Sequence, residues 1–282
     1  MNQDRTFAGF DSSFEKADYV LVGIPYDKTS SFQTGSYKGP EEIRKSSYCF
    51  EPYLMEYGIS LDQVSLHDFG DLDEYEDYDE LCMDIRETLS RIVNEDKFPI
   101  LLGGEHSISP PIVSTINKIF SGLTVIVLDA HLDFRDTYEG IKHSHATASK
   151  RISEIVGIEN VIVGGVRSIS DENAEVEKPV FLTSREIKEQ KSIEKILPEK
   201  DEPIYLSIDM DIIDPSYAPG VGNPEPFGLS SLEMKDIVSQ ISKNLVGTDI
   251  VETNPKYDCS NITANLGARL VYELIGSREK KR

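Results

Sequence analysis

"LTVIVLDAHLDFRD", Leu123 to Asp136, carries six almost unbroken aliphatic positions straight into Asp129, His131 and Asp133. A short continuous apolar run, as opposed to an alternating one, is the signature of a strand covered on both faces, which is the condition of strands in parallel sheets. Runs of the same kind recur at 18–24, 64–67, 98–102, 160–166, 179–182, 203–208 and 247–251. Helical patterns lie between them. The clearest follows residues 77–80, where Leu81, Ile85, Leu89 and Ile92 recur at three- and four-residue steps among Asp84, Arg86, Glu87 and Arg91. Further helices are expected over 40–48, 107–120, 145–156, 184–197, 230–243 and 261–275. Strands alternating with helices throughout, with no linker-like stretch, internal repeat or composition shift, predict a single α/β domain over 1–282.

Composition narrows the partners. Twenty-nine Lys and Arg stand against 50 Asp and Glu, a formal charge of −21, which argues against nucleic acid and anionic membrane surfaces and favours a small cationic ligand. No run approaches the roughly 18 apolar residues of a membrane span, and the opening "MNQDRTFAGFDSSF" lacks the apolar core of a signal peptide. Three scattered cysteines, Cys49, Cys82 and Cys259, make neither a disulfide framework nor a thiolate metal site and are read as buried or incidental thiols. Together these features predict a cytoplasmic location. The acidic "YEDYDE" at 75–80 reads as a solvated loop and helix start.

The chemistry collects at strand ends, which in parallel sheets open on one side. "FPILL" leads into Gly103-Gly104-Glu105-His106-Ser107, "TVIVL" into Asp129, His131 and Asp133, "PIYLSI" into Asp209 and Asp211, and "GTDIV" into Glu252. A lone His after a Gly pair is commonly a packing residue, and an Asp at a strand end commonly caps the next helix. The DxHxD and DxD spacings weigh against that reading, since a period of two would turn Asp129, His131 and Asp133 to one side, and Asp209 with Asp211 likewise. So many carboxylates on one edge repel unless a cation holds them, so bound metal is the economical resolution.

"GGEHS" (103–107), "DAHLDFRD" (129–136) and "SIDMDIIDPSYAPGVGNPEPFGLS" (207–230) resemble the three signature motifs of the ureohydrolase family, which includes arginases and agmatinases. The likeness extends to "TGSYKGPEEIR" (34–44), "VETNPKYD" (251–258) and "TANLGARL" (263–270), and leans to the agmatinase branch. It implies a three-layer α/β/α domain with a mainly parallel eight-stranded central sheet, which periodicity alone does not separate from a (β/α)8 barrel. It also implies a binuclear manganese centre: His106 and Asp133 on one ion, His131 and Asp211 on the other, Asp129 and Asp209 bridging both. Four aspartates and two neutral histidines bring −4 against +4, so a hydroxide shared by the ions is accommodated. Oxygen-rich ligation suits Mn2+, and Co2+, Ni2+ or Fe2+ can substitute.

Carried over residue by residue, the resemblance makes His145, Asp133 and Glu252 catalytic, with Glu252 and His145 also touching substrate. His145, twelve residues beyond Asp133, would move the proton that the departing amine needs, with His143 as its rival. Glu252 would present a planar two-oxygen acceptor to a guanidinium. Asp214 would fix the loop within the third motif by capping or a hydrogen bond, where Phe227-Gly228 stands in place of the two glycines usual in the family. Arg135 occupies the position at which arginases carry an Asn that helps hold the substrate carboxylate. The implied activity is hydrolysis of agmatine to putrescine and urea in polyamine biosynthesis, by a chain assembled as a trimer or hexamer. Arginine, guanidinobutyrate or aminopropylagmatine are alternative substrates, and an inactive metal-binding relative is the non-enzymatic alternative.

Overall fold

The computed structural model describes residues 6–10, 12–173, 175–190, 197 and 202–281. Its strands in chain order are β1 (Tyr19–Ile24), β2 (Tyr53–Leu54), β3 (Ile59–Ser60), β4 (Leu66–Asp71), β5 (Phe98–Gly103), β6 (Thr124–Leu128), β7 (Val161–Val166), β8 (Val180–Thr183), β9 (Ile204–Asp209) and β10 (Leu245–Val251). The helices are α1 (Gly39–Ser47), α2 (Tyr78–Asn94), α3 (Ser109–Ile116), α4 (Ala148–Val156), α5 (Ser184–Gln190), α6 (Ser231–Ile241) and α7 (Ile262–Lys281). Eight strands form one sheet in the order β4-β1-β5-β10-β9-β6-β7-β8, every pair parallel; β2 and β3 form a small antiparallel pair.

Pleating sends alternate strand residues into two separate cores. Leu21, Ile100, Ile126 and Leu206 pack on one face with Ile43 of α1, Ile187 of α5, Ile237 and Val238 of α6 and Val271 of α7. Val20, Leu101, Val127 and Tyr205 pack on the other with Leu81 and Ile85 of α2, Ile112 of α3 and Ile152 of α4. Two cores on two faces of an open sheet make three layers and rule out the barrel, which would have a single closed interior. Among the described residues no helix is long and apolar enough to cross a membrane.

Strand order positions the site. The chain passes from β5 to β6 and only later fills the gap between them with β9 and β10, so four strands that are distant in sequence lie side by side with their carboxyl ends together. This is the switch in strand order at which open α/β sheets bind ligands.

Several boundaries differ from the sequence reading. The strand expected at 64–67 lies at 66–71, an edge strand of sequence LHDFGD, whose acidic side chains are absorbed by the buried Arg44 guanidinium through Asp68 at 2.9 Å and through Asp71. The helix expected at 107–120 begins after a 3-10 turn at His106–Ile108 and closes at Ile116 in tight i to i+3 bonds. That expected at 145–156 likewise opens with a 3-10 turn, His145–Thr147. Of the helix expected at 184–197, residues 191–196 lie outside the described residues. The cysteines are free but not buried: Cys49 and Cys259 are exposed and Cys82 is partly so.

Candidate metal centre

Period-two alternation does not deliver the ligand set. β6 ends at Leu128, and Asp133 holds a left-handed φ of 47°, so the DxHxD segment is a loop that curls its side chains together. Asp209 closes β9, but Asp211 sits in the 3-10 turn Met210–Ile212 and donates its own amide to Asp209 Oδ1 at 2.8 Å. Asp209 thus serves as a cap and faces the cluster as well.

The convergence itself is tight. His106 Nδ1 lies 3.1 Å from Asp129 Oδ2, 3.4 Å from Asp133 Oδ2 and 3.3 Å from Asp209 Oδ2. His131 Nδ1 lies 2.8 Å from Asp211 Oδ2 and 3.6 Å from Asp129 Oδ1. His106, Asp129 and Asp209 form one group able to hold a cation, and Asp129, His131 and Asp211 form another, sharing Asp129. Asp133 stands beside the first.

A divalent ion fits these residues on three grounds. His106 Nδ1 and Asp129 Oδ2 are buried and make no hydrogen bond, leaving lone pairs that only a cation or proton can use. The tautomer of His106 is set for ligation: Ser207 Oγ donates to Asp249 Oδ1 at 2.6 Å, so at 3.0 Å from His106 Nε2 it accepts N–H and leaves Nδ1 bare. On His131, Nε2 lies 3.0 Å from the Asn223 amide nitrogen, and the inverted amide would accept its proton to the same effect. Finally, the side chains alone balance their charge at a cost. Against the penalty of burial, the surrounding carboxylates drive the His106 pKa well above its usual value and that of His131 to about 12. Burial and the Asp129 charge push Asp133 up to about 6, and burial with Asp211 and Asp129 raises Asp209 far above the carboxylate range. Protons therefore occupy what cations would otherwise neutralise.

A cleft of about 200 Å3 opens over the cluster, lined by His131, Asp133, Asp209 and Asp211 and by Glu252 and His145. Glu252 holds φ 64° and accepts the His106 amide through Oε1 at 2.9 Å; its Oε2 faces Gly222, where a Cβ would come within 2.9 Å of that oxygen. Burial, with Glu105 nearby, raises its pKa well above normal. His145 contacts Thr29, Ser31 and Ser144, and burial with the charge of His106 lowers its pKa to about 4. His143 is exposed and stacks on Tyr78, outside the lining of the cleft. Arg135 lines the cleft but is paired with Glu172 at 2.6 Å.

The remaining signature residues build the walls. Asp214 accepts from the Ser216 and Gly228 amides at 3.0 and 3.1 Å, and Phe227 holds φ 69° with its ring turned outward, 83% exposed. Gly104 lets Tyr26 approach so closely that a Cβ would meet its carbonyl oxygen at 2.1 Å. Sequence reasoning passed over Thr29, Ser207, Asp249 and Arg167. Arg167 donates to the carbonyls of Asp211 (2.6 Å), Glu225 (2.7 Å) and Pro226 (2.9 Å), tying the third-motif loop to a ligand. Asp249 left a usable signal, a carboxylate in the middle of the strand tract 247–251.

Comparison with known proteins agrees with this architecture. The agmatinase of Bacillus cereus is 36% identical over 268 residues, 93% of this chain and 92% of that protein. The guanidinobutyrase of Pseudomonas aeruginosa is 32% identical over 94% of this chain and 87% of its own length. The crystal structure of the agmatine ureohydrolase of Thermoplasma volcanium superposes with a TM-score of 0.92 at 38% identity, covering 98% of this chain and 94% of that one. The family model for arginases matches residues 17–276. With that span matched from before β1 to within α7, the chain belongs to the arginase family.

Proposed function

We propose that the protein hydrolyses agmatine to putrescine and urea with two Mn2+ ions. The observation that carries this reading is the pair of buried, unpartnered ligand atoms, His106 Nδ1 and Asp129 Oδ2, packed against Asp133 and Asp209, which line a cleft whose walls also hold a planar carboxylate, Glu252, and an imidazole, His145. In this reading His106 and Asp133 hold one ion, His131 and Asp211 the other, and Asp129 and Asp209 serve both. When bound, such a pair lowers the pKa of water enough to provide a nucleophile near neutral pH.

The chain's own residues do the rest. Glu252 Oε2 accepts a guanidinium N–H and holds the planar carbon over the cluster; its neighbour oxygen is already fixed by the His106 amide. His145 Nε2 delivers a proton to the amine nitrogen as the C–N bond breaks, because an unprotonated amine anion is too poor a leaving group. Among the described residues lining the cleft, Arg135 is the one guanidinium or ammonium group, and its engagement by Glu172 leaves a substrate carboxylate without a free cation. That supports an amine-ended substrate over arginine. A second reading, an ω-guanidino acid such as guanidinobutyrate, gains support from Arg135 itself should Glu172 give way to the ligand.

The test is urea release from agmatine, arginine and guanidinobutyrate after loading with Mn2+. The expected result is a kcat/KM for agmatine at least about 100-fold above that for arginine, roughly 2.7 kcal/mol of differential transition-state binding. Faster hydrolysis of either acid overturns the substrate assignment, and absence of urea from all three overturns the enzymatic one. The trimer or hexamer expected from the family resemblance belongs to the same proposal, and light scattering decides it.

A further inference from the structure

The carboxylate of Glu105 is fully enclosed, yet it touches neither the cluster nor the cleft. Four donors converge on it: the Thr29 amide at 2.8 Å, Thr29 Oγ1 at 2.6 Å, Ser30 Oγ at 3.2 Å and Ser107 Oγ at 2.6 Å. It thereby fastens the loop after β1 to the turn that carries His106. The oxygen of the same Thr29 hydroxyl accepts the His145 amide at 3.0 Å and lies 3.3 Å from His145 Nδ1.

We propose that Thr29, held by Glu105, is a positioning residue that fixes His145 with its proton on Nδ1 and its lone pair on Nε2. A hydroxyl has one proton, and that of Thr29 is committed to the carboxylate, so toward the imidazole it can only accept. Nδ1 must then be the donor. Ser144 Oγ, 3.2 Å from Nδ1, can turn to accept the same proton, whereas Ser31 Oγ, 3.4 Å from Nε2, can donate to the nitrogen left bare. The atom freed in this way is the one beside Ser31 at the cleft wall. Resting on the urea-forming reading above, Nε2 is the atom that takes the proton released by the attacking water and passes it to the departing amine nitrogen, while Nδ1–H stays in place throughout. The wrong tautomer would present a donor where an acceptor is needed at the start of each cycle.

The test compares Thr29→Val, which keeps the shape and loses the hydroxyl, with Thr29→Ser, which keeps it. Nitrogen-15 spectra of the metal-free full chain, with His145→Asn to assign the signal, should show the Nδ1–H tautomer of His145 in wild type and Thr29→Ser and a mixed population in Thr29→Val. In the Mn2+-loaded enzyme, Thr29→Val should lower kcat by about 10- to 100-fold with KM and metal content little changed, and Thr29→Ser should recover most of it. In a His145→Asn background, Thr29→Val should add less than about a twofold loss, since both act through one group. An unchanged tautomer in Thr29→Val, or an equal loss with and without His145, overturns the proposal. Absence of urea from wild type instead overturns the enzymatic reading, and the tautomer measurement still judges Thr29.

Discussion

Asp133 and Glu252 both hold left-handed backbone angles, φ 47° and 64°, which glycine accepts freely and other residues adopt at a cost of about 1–2 kcal/mol each. One turn brings the Asp133 carboxylate to His106 and the other sets Glu252 at the cleft wall, an arrangement no regular strand could assemble. Asp129 is the pivot of the candidate metal cluster, belonging to both candidate cation groups. Asp129→Asn should therefore lose one or both ions, and elemental analysis returning two per chain would remove Asp129 from a shared role. The two neighbouring histidines separate by surroundings: His145 lines the cleft, while His143 stacks on Tyr78. His145→Asn is expected to keep its metal and lose about 10^2–10^4 in turnover, with His143→Asn costing far less. Steady-state rates in the reverse order would exchange their roles.

At the scale of elements, the loop after β9 depends on a guanidinium that, among the described residues, has no carboxylate in hydrogen-bonding range: Arg167 reaches the carbonyls of Gly165, Asp211, Glu225 and Pro226. Lysine offers three donors on a flexible stem in place of a planar fork, so Arg167→Lys should destabilise the protein by about 2–4 kcal/mol and weaken ion retention on Asp211. Denaturant unfolding with a change under about 0.5 kcal/mol would show that the loop holds itself. Elements whose apolar runs are buried on both faces, β5, β6 and β9, were legible in the sequence, as was α2 with its Leu81, Ile85, Leu89 stripe. β4 was displaced because an edge strand neutralised by Arg44 need not be apolar. His106, Asp129 and Asp211 are legible because metal-capable residues at strand ends share one edge, whereas a loop and a 3-10 turn, not strand pleat, group Asp129 with His131 and Asp133 and Asp209 with Asp211. Thr29 was illegible: a hydroxyl in a loop acquires meaning only when Glu105 and His145, 76 and 116 residues away, are folded around it.

For the molecule as a whole, metal and protons compete. The surrounding carboxylates raise the pKa values of His106 and His131 in the metal-free fold, so protons compete with a metal ion for their nitrogens. For His131 the associated stability is present below its ordinary value of 6.5 and is lost as pH rises toward about 12. Mn2+ affinity should therefore climb with pH, about tenfold per unit for each proton released, and titration calorimetry in buffers of different ionisation enthalpy should register that release. A heat independent of buffer would sink this account. The position of β10 carries a consequence of another kind. It is the last of the described strands in chain order, yet it lies between β5 and β9 near the middle of the sheet. During ribosomal synthesis, the half bearing His106 and the half bearing Asp129 and Asp209 emerge first and have no shared hydrogen-bonded edge until residues through Val251 arrive to join them. Assembly must await that closing segment, a long-range pairing of the kind that folds slowly. Completion of the candidate metal cluster is thus a late event in the life of each newly made chain, and any nascent product arrested before β10 has its sheet in two halves, without the strand that sets them in register.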